Sequence, residues 1–201
     1  MKTALRNCYV LLYAVLMAVL HFGHCGNTGS SHTEHEEDIS EFYSKYDKIE
    51  TVYSTIPSEA CKVDYVNKTT STRTEFLRKF WWAAKRLQLE GTFLTGSSRH
   101  RDIPLSSMDV HEINAPSTSK YHSYERLFYT FDKKRCGVFF VSHQKNRGGN
   151  NYELRIKDRG SQHTGCFEKF KWYLCKSGVR EYGYCIKTSW KTTKIDCKGI
   201  R

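Results

Sequence analysis

The stretch of the chain with the most polar chemistry is residues 152–157, which read YELRIK. In an extended chain successive side chains point to opposite faces, so one face carries Glu153, Arg155 and Lys157 and the other carries apolar and aromatic groups. A carboxylate can pair with a cation, and a guanidinium can bind a carboxylate through two parallel hydrogen bonds. Two alternatives to binding a ligand stay open: Glu153 and Arg155 pair with each other, or their face of the strand points outward.

Aromatic side chains are the second group of candidates. Trp81 and Trp82 are adjacent, so on a strand they point to opposite faces, and one can line a cavity while the other packs elsewhere. Tyr129 and Phe140 lie in two later extended segments. They can also line a pocket, although core packing is the commoner role of any single aromatic residue.

Nothing in the sequence has the spacing of a catalytic or metal centre. It contains no HExxH, no GxSxG and no glycine-rich phosphate loop. The later histidines, at 100, 111, 122, 143 and 163, are scattered, and His32 and His35 have no third ligand at a suitable spacing. We therefore predict that the protein is not an enzyme and has no metal site or cofactor; a basic secreted nuclease is an alternative without a spacing signature.

The N-terminus has the pattern of a signal peptide, with Lys2 and Arg6 before an uncharged apolar run over residues 7–22. That run is shorter than the roughly 20 residues of a membrane span. We predict a signal peptide at residues 1–25, a flexible polar tail at 26–37 and one domain at 38–201, in a secreted protein without a membrane span.

Charge and cysteines fit an extracellular protein. Without Lys2 and Arg6 the formal charge of +11 falls to about +9, which favours anionic partners or a merely soluble surface; nucleic acid is not predicted as a partner. Loss of Cys8 and Cys25 with the leader leaves Cys61, Cys136, Cys166, Cys175, Cys185 and Cys197. This even set predicts three disulfides, whose pairing the residues alone leave open. The Asn67-Lys68-Thr69 sequon predicts glycosylation in a surface loop.

Strands must position these groups. Apolar residues spaced by three or four from Ile39 to Tyr53 predict a short N-terminal helix, and similar spacing from Cys166 to Leu174 predicts a late helix. Extended segments are predicted at 52–56, 61–66, 74–82, 87–94, 124–131, 136–143, 152–157 and 181–190. Gly-Gly-Asn-Asn at 148–151 predicts a hairpin turn. The fold class is therefore all-β: an eight-stranded antiparallel barrel with both helices, the late one packed against the barrel.

The residues also resemble a known family. The segment CGVFFVSHQKNRGGNNYELRIKD at 136–158, followed by Cys166 and by YGYC at 182–185, resembles the tick salivary lipocalins, the histamine-binding-protein family. VYST at 52–55, shortly before Cys61, is similar to that family's first strands. The resemblance spans roughly residue 38 to the C-terminus in layout and implies a lipocalin-like barrel.

The resemblance also implies disulfide pairs. Carried over, they are Cys61 with Cys185 and Cys136 with Cys166, which leaves Cys175 for Cys197. The alternative joins Cys61 to Cys197 and Cys175 to Cys185.

Two residues depart from the pattern of the amine-binding members, which carry Cys-Asp-aliphatic and Glu-Leu-Trp. Gly137 stands in place of the Asp and Arg155 in place of the Trp. An unpaired buried cation costs several kcal/mol, so these losses weaken the expectation of an amine, although Glu153 remains as its partner. With that face turned inward, as the resemblance implies, Arg155 can bind the carboxylate of a leukotriene or fatty acid.

The function that the resemblance implies is sequestration. A secreted, monomeric salivary protein would hold a small host inflammatory mediator, either histamine or another biogenic amine or an anionic lipid, and counter host defence at the feeding site. The predicted ligand-binding residues are Glu153, Arg155, Trp82, Tyr129 and Phe140. The alternative is a basic surface that binds host glycosaminoglycans or coagulation or complement proteins.

Overall fold

The computed structural model describes residues 37–44, 47–81, 83–84, 86–94, 105–114, 121–143, 147–157, 163–186 and 189–198. The predicted signal peptide and all but the last residue of the predicted tail lie outside these described residues.

Eight strands, each antiparallel to the next along the chain, form the body of the molecule. They are β1 (Lys48–Ser54), β2 (Val63–Thr69), β3 (Arg73–Lys79), β4 (Arg86–Leu94), β5 (Ser107–Glu112), β6 (His122–Phe131), β7 (Cys136–Ser142) and β8 (Tyr152–Ile156). β1 also pairs with β8, with Glu50 opposite Ile156 and Ser54 opposite Glu153. This pairing closes the sheet, so the predicted eight-stranded antiparallel barrel is confirmed.

Two strands follow the barrel, β9 (Glu181–Ile186) and β10 (Ser189–Lys194), and they form an antiparallel pair. β9 lies beside the end of β1, where Tyr53 is opposite Tyr184. The prediction of a single strand over residues 181–190 was wrong, because the chain reverses between Ile186 and Ser189.

β5 was not among the predicted strands. Its buried residues Met108 and Val110 alternate with Asp109 and His111, which is the period of a half-buried strand. The segment is short and polar overall, so its two apolar positions did not stand out in the sequence.

The N-terminal helix α1 covers only Ile39–Phe42, and the prediction that it continues to Tyr53 was wrong. Asp38 caps it by accepting a hydrogen bond from the Ser40 amide at 2.8 Å. A bulge in β1 between Thr51 and Tyr53 shifts its register with β8. Ile49 therefore packs inside the barrel and Tyr53 outside, although residues four positions apart normally share one face of a strand.

The late helix α2 (Thr164–Lys176) is confirmed and packs on the outer wall against β6, β7 and β8. Its buried residues Cys166, Phe170 and Leu174 form one stripe facing the outward side chains of β7 and β8. Disulfides join Cys61 to Cys185, Cys136 to Cys166 and Cys175 to Cys197, which are the pairs that the resemblance implied.

The two ends of the barrel differ. At one end, called the closed end below, Tyr43 and the α1 residues Ile39 and Phe42 are buried, and the Phe42 ring packs 5.0 Å from the ring of Phe139. At the opposite end, called the open end, β1, β3, β5 and β7 end and β2, β4, β6 and β8 begin. A short 3-10 turn at Pro57–Glu59 lies there.

Candidate ligand-binding site

Between the apolar core of the closed end and the open end lies a layer of buried charges. Its six members, called the charged layer below, are Lys62, Asp64, Arg78, Glu125, Glu153 and Arg155. They come from β2, β3, β6, β8 and the residue before β2. Each sits on the inward face of its strand, as Thr74, Phe76 and Arg78 do on β3. Barrel closure therefore brings together charges that are far apart in the sequence.

Arg155 is fully occupied by carboxylates. Its Nε and Nη2 atoms donate to Oε2 of Glu153 at 2.8 and 2.6 Å, and Nη1 donates to Oε2 of Glu125 at 2.5 Å. Nη1 also donates to the Tyr43 hydroxyl, and the guanidinium lies 4.4 Å from the centre of the Phe139 ring. Glu153 and Arg155 thus point inward and pair with each other, which was one of the two alternatives left open by the sequence.

The other two cations of the layer are paired in the same way. Arg78 donates to Asp64 from Nε and Nη2, both at 2.7 Å, and to Glu125 from Nη1 at 2.8 Å. Lys62 donates to Glu153 at 2.6 Å and to Glu59 at 2.5 Å. Every cation of the layer therefore bridges two carboxylates.

The pKa values follow from burial and these contacts. Burial raises the pKa of the Glu125 carboxyl, but Arg155 and Arg78 outweigh it and hold that pKa well below the ordinary value. Burial raises the pKa of Glu153, which Lys62 and Arg155 offset only in part. Glu153 therefore takes up a proton more readily than an ordinary glutamate, in contrast to Glu125.

The net charge of the charged layer together with Glu59 depends on one histidine. Counting Glu59 with the layer, there are four carboxylates and three permanent cations. His143 supplies the fourth: its Nε2 lies 2.6 Å from Oε1 of Glu59, and this hydrogen bond raises the pKa of His143 against the opposing effect of burial. With all four carboxylates ionised, the charged layer and Glu59 are together neutral when His143 is protonated and carry one negative charge when His143 is neutral.

Above the charged layer, at the open end, lies a pocket of about 420 Å³, called the mouth pocket below. It is lined by Ser58, Glu59, Phe80, Ala83, Leu87, Tyr121 and His143. The Phe80 and Tyr121 rings lie 6.3 Å apart, and the His143 ring meets Tyr121 edge-on at 6.0 Å. Among the described residues of this lining, Glu59 is the one with a carboxylate, and its neighbours include aromatic and aliphatic side chains, Ser58 and His143.

The structure does not bring all of the predicted ligand-binding residues together. Glu153 and Arg155 lie in the charged layer, beneath the mouth pocket. Phe140 packs on the outer wall, with its ring 6.0 Å from that of Tyr152. Tyr129 is also on that wall, where Lys169 of α2 lies 5.8 Å from its ring. Trp82 falls outside the described residues.

Gly137 has a structural explanation. A Cβ atom at this position would lie 2.9 Å from the Phe42 ring and 3.0 Å from Leu127. The space that an Asp side chain would need is therefore filled by α1. The Gly at position 137, where the family pattern has Asp, therefore reflects packing at the closed end. It does not remove a ligand-binding carboxylate from the mouth pocket.

Sequence reasoning missed four of the six members of the charged layer, and it did not place Glu59 and His143 at the mouth pocket. Arg78 and Glu125 occupy positions two residues from buried Phe76 and Leu127, so strand periodicity alone places them inside. Glu59 lies in a connection, where no periodicity applies, whereas His143 ends the predicted segment 136–143 and follows the alternation of buried Phe139 and Val141. Only the folded chain shows that the two meet.

The closed antiparallel barrel, the helix on its outer wall and the pocket at one end define a lipocalin-like fold. Comparison of the chain with models of known protein families and with curated proteins gave no match in either case. No described helix is long and apolar enough to cross a membrane, and the described residues contain no cluster of three or more metal-ligating side chains.

Proposed function

We propose that this is a secreted binding protein that sequesters a small cationic amine in the mouth pocket, with Glu59 as the partner of the ammonium group. The observation that carries the proposal is the position of the Glu59 carboxylate in the wall of a pocket that also presents the aromatic and aliphatic side chains of Phe80, Tyr121 and Leu87. Binding of this kind requires no chemical step. The family resemblance supports a mediator of host inflammation, such as histamine or serotonin, as the amine.

The lining suits an amine with an aromatic body. Carboxylates and aromatic faces are the groups that stabilise an ammonium ion outside water. Phe80 and Tyr121 offer the faces and Glu59 the charge. A volume near the low end of ligand pockets, about 300–1,000 Å³, also favours a small molecule.

The same geometry disfavours the anionic lipid. Arg155, the expected anchor for its carboxylate, already contacts Glu153 and Glu125 and has no exposed surface. Binding an anion there would break a buried ion pair, which costs about 3–5 kcal/mol.

The test is calorimetric titration of the mature protein with histamine, serotonin and arachidonate. We expect amines to bind and 5-hydroxytryptophol, which lacks the ammonium group of serotonin, to bind at least about ten-fold more weakly, the effect of a charged hydrogen bond. Glu59→Gln should weaken amine binding roughly 10- to 100-fold. The matched control is Glu181→Gln, which makes the same change at an exposed residue of β9. Equal binding of serotonin and its alcohol would overturn the proposal.

A second candidate function rests on the surface. Five exposed cations surround the Cys175–Cys197 disulfide and the β9–β10 pair: Lys176, Arg180, Lys191, Lys194 and Lys198. Such a group favours binding to a sulfated glycan or an acidic protein. Elution from heparin should then move to lower salt in Lys176→Gln/Lys198→Gln, with amine binding unchanged.

A further inference from the structure

A second cavity, of about 410 Å³, lies on the outside of the barrel and is called the outer groove below. Its outward-facing lining includes Tyr65, Asn67, Leu77 and Gln88, from β2, β3 and β4, and Ile113. Tyr65 is opposite Leu77, and Leu77 is opposite Gln88, so these three form one row across the strands. Tyr65 is 41% exposed, which is high for a large aromatic side chain.

Asn67 of the sequon belongs to this lining, and it lies in β2, where a surface loop had been predicted. The register of β2 with β3 skips it, because Val66 is opposite Phe76 and Lys68 is opposite Glu75. Asn67 is therefore the extra residue of a β-bulge, a feature that redirects a side chain relative to its neighbours. Its side chain is exposed and stands two residues, or about 7 Å of extended chain, from Tyr65.

We propose that Asn67 carries an N-linked glycan whose first N-acetylglucosamine packs on the Tyr65 ring and fills the outer groove. In the attachment step the Asn67 amide nitrogen forms a bond to C1 of the sugar. The bond from C1 to the pyrophosphate of a lipid-linked oligosaccharide breaks, and the amide nitrogen loses a proton. The proposal needs entry into the secretory pathway and is independent of the amine pocket, which lies at the open end.

The chemistry of the groove suits a pyranose ring. One face of such a sugar carries C–H groups, which can cover the aromatic face of Tyr65 and the side chain of Leu77. Its hydroxyl and N-acetyl groups need polar partners, and Glu75 and Gln88 belong to the lining of the groove. A glycan tethered within the groove reaches these groups without the entropy loss that a free ligand would suffer.

The experiment compares stability with and without the glycan in protein secreted from eukaryotic cells. Intact mass and glycopeptide analysis should find the glycan on Asn67. Asn67→Gln should lower the melting temperature by about 2–4 °C, the shift expected for roughly 1 kcal/mol in a domain of this size. Trimming the glycan to its first sugar with endoglycosidase H should preserve most of the stabilisation.

A double-mutant cycle separates packing on Tyr65 from a general effect of glycosylation. In a Tyr65→Ser background the glycan should add no stability. In an Ile186→Ser background, which removes an exposed apolar side chain of β9 away from the groove, its effect should persist. The N-acetyl methyl proton signal of the first sugar should shift upfield, and Tyr65→Ser should abolish that shift. An unmodified Asn67, or equal stabilisation by the glycan with and without Tyr65, would overturn the proposal.

Discussion

The Nε2 atom of His143 lies 2.6 Å from one carboxylate oxygen of Glu59, and the ammonium group of Lys62 lies 2.5 Å from the other. Through these two contacts, Glu59 connects the wall of the mouth pocket to the charged layer. We expect an ammonium ligand that reaches Glu59 to compete with His143, because Lys62 is buried and also donates to Glu153.

Amine affinity should therefore rise as the pH increases through the raised pKa of His143. Below that pKa the imidazolium holds Glu59, and above it the carboxylate is available to the ligand. Lys62 does not lose its charge over this range, because its own pKa is also raised: the nearby Glu153 and Glu59 outweigh burial. Titration calorimetry between about pH 5 and 8, in buffers of different ionisation enthalpy, should detect proton release on binding at the acidic end.

The control for this pH dependence is a second histidine. His143→Gln should flatten the dependence, whereas His111→Gln, on the exposed face of β5, should leave it unchanged. Affinity that is constant across the range in the native protein would show that the ligand does not compete with His143.

Arg155→Ala should act on stability before it acts on binding. The substitution leaves Glu125 and Glu153 without a shared partner, and removal of one member of a buried ion pair costs about 3–5 kcal/mol. Arg73→Ala is the matched control, since Arg73 is half exposed and its contacts with Glu75 and Glu90 are 3.7 and 3.5 Å. Such a surface pair is worth about 0–1 kcal/mol. Urea unfolding of both variants measures the difference, and equal losses would contradict the structure.

Acid should destabilise the protein through Glu125. Its pKa in the folded protein is well below 4.5, the ordinary value that applies to the unfolded chain. The unfolded chain therefore binds the proton first, so the stability contributed by this carboxylate is complete above about pH 4.5 and is lost as the pH falls through the folded-state pKa. Glu59, whose pKa is also lowered, acts in the same direction.

Unfolding in urea at a series of pH values from 7 to 3 checks this linkage. Glu125→Gln should be less stable at neutral pH and should lose stability less steeply toward acid. Glu181→Gln should keep the steep native profile. A native-like acid slope in Glu125→Gln would assign the pH dependence to other carboxyls.

Gly137→Ala should destabilise the barrel by about 1–3 kcal/mol, because the added methyl group overlaps Phe42 and Leu127. Phe42→Leu in the same chain should recover part of that loss by making room. Thermal unfolding of the single and double variants is the measurement. Full stability of Gly137→Ala would mean that α1 does not occupy this space.

Strand alternation was the strongest predictor of the fold. It located most barrel strands and put Glu153 and Arg155 on one face, and helical spacing located α2. The method failed where a local irregularity changed the period: the bulge near Val52 puts Ile49 and Tyr53 on opposite faces of β1, although they are four positions apart. It also passed over β5, whose two inward apolar residues are too few to mark a strand.

The sequence by itself determined the class of the molecule, a strand-rich chain whose six later cysteines predict three disulfides, and it placed Glu153 and Arg155 on the same face of a strand. Only the tertiary structure decided what those two residues do. Lys62 and Glu153 are 91 positions apart, and Arg155 and Glu125 are 30 apart, yet each pair shares a buried hydrogen bond. Periodicity specifies the face of the strand on which a side chain lies, but closure of the barrel specifies its ion-pair partner. A buried charge needs a counter-ion, and residues of other strands supply it once the barrel has closed.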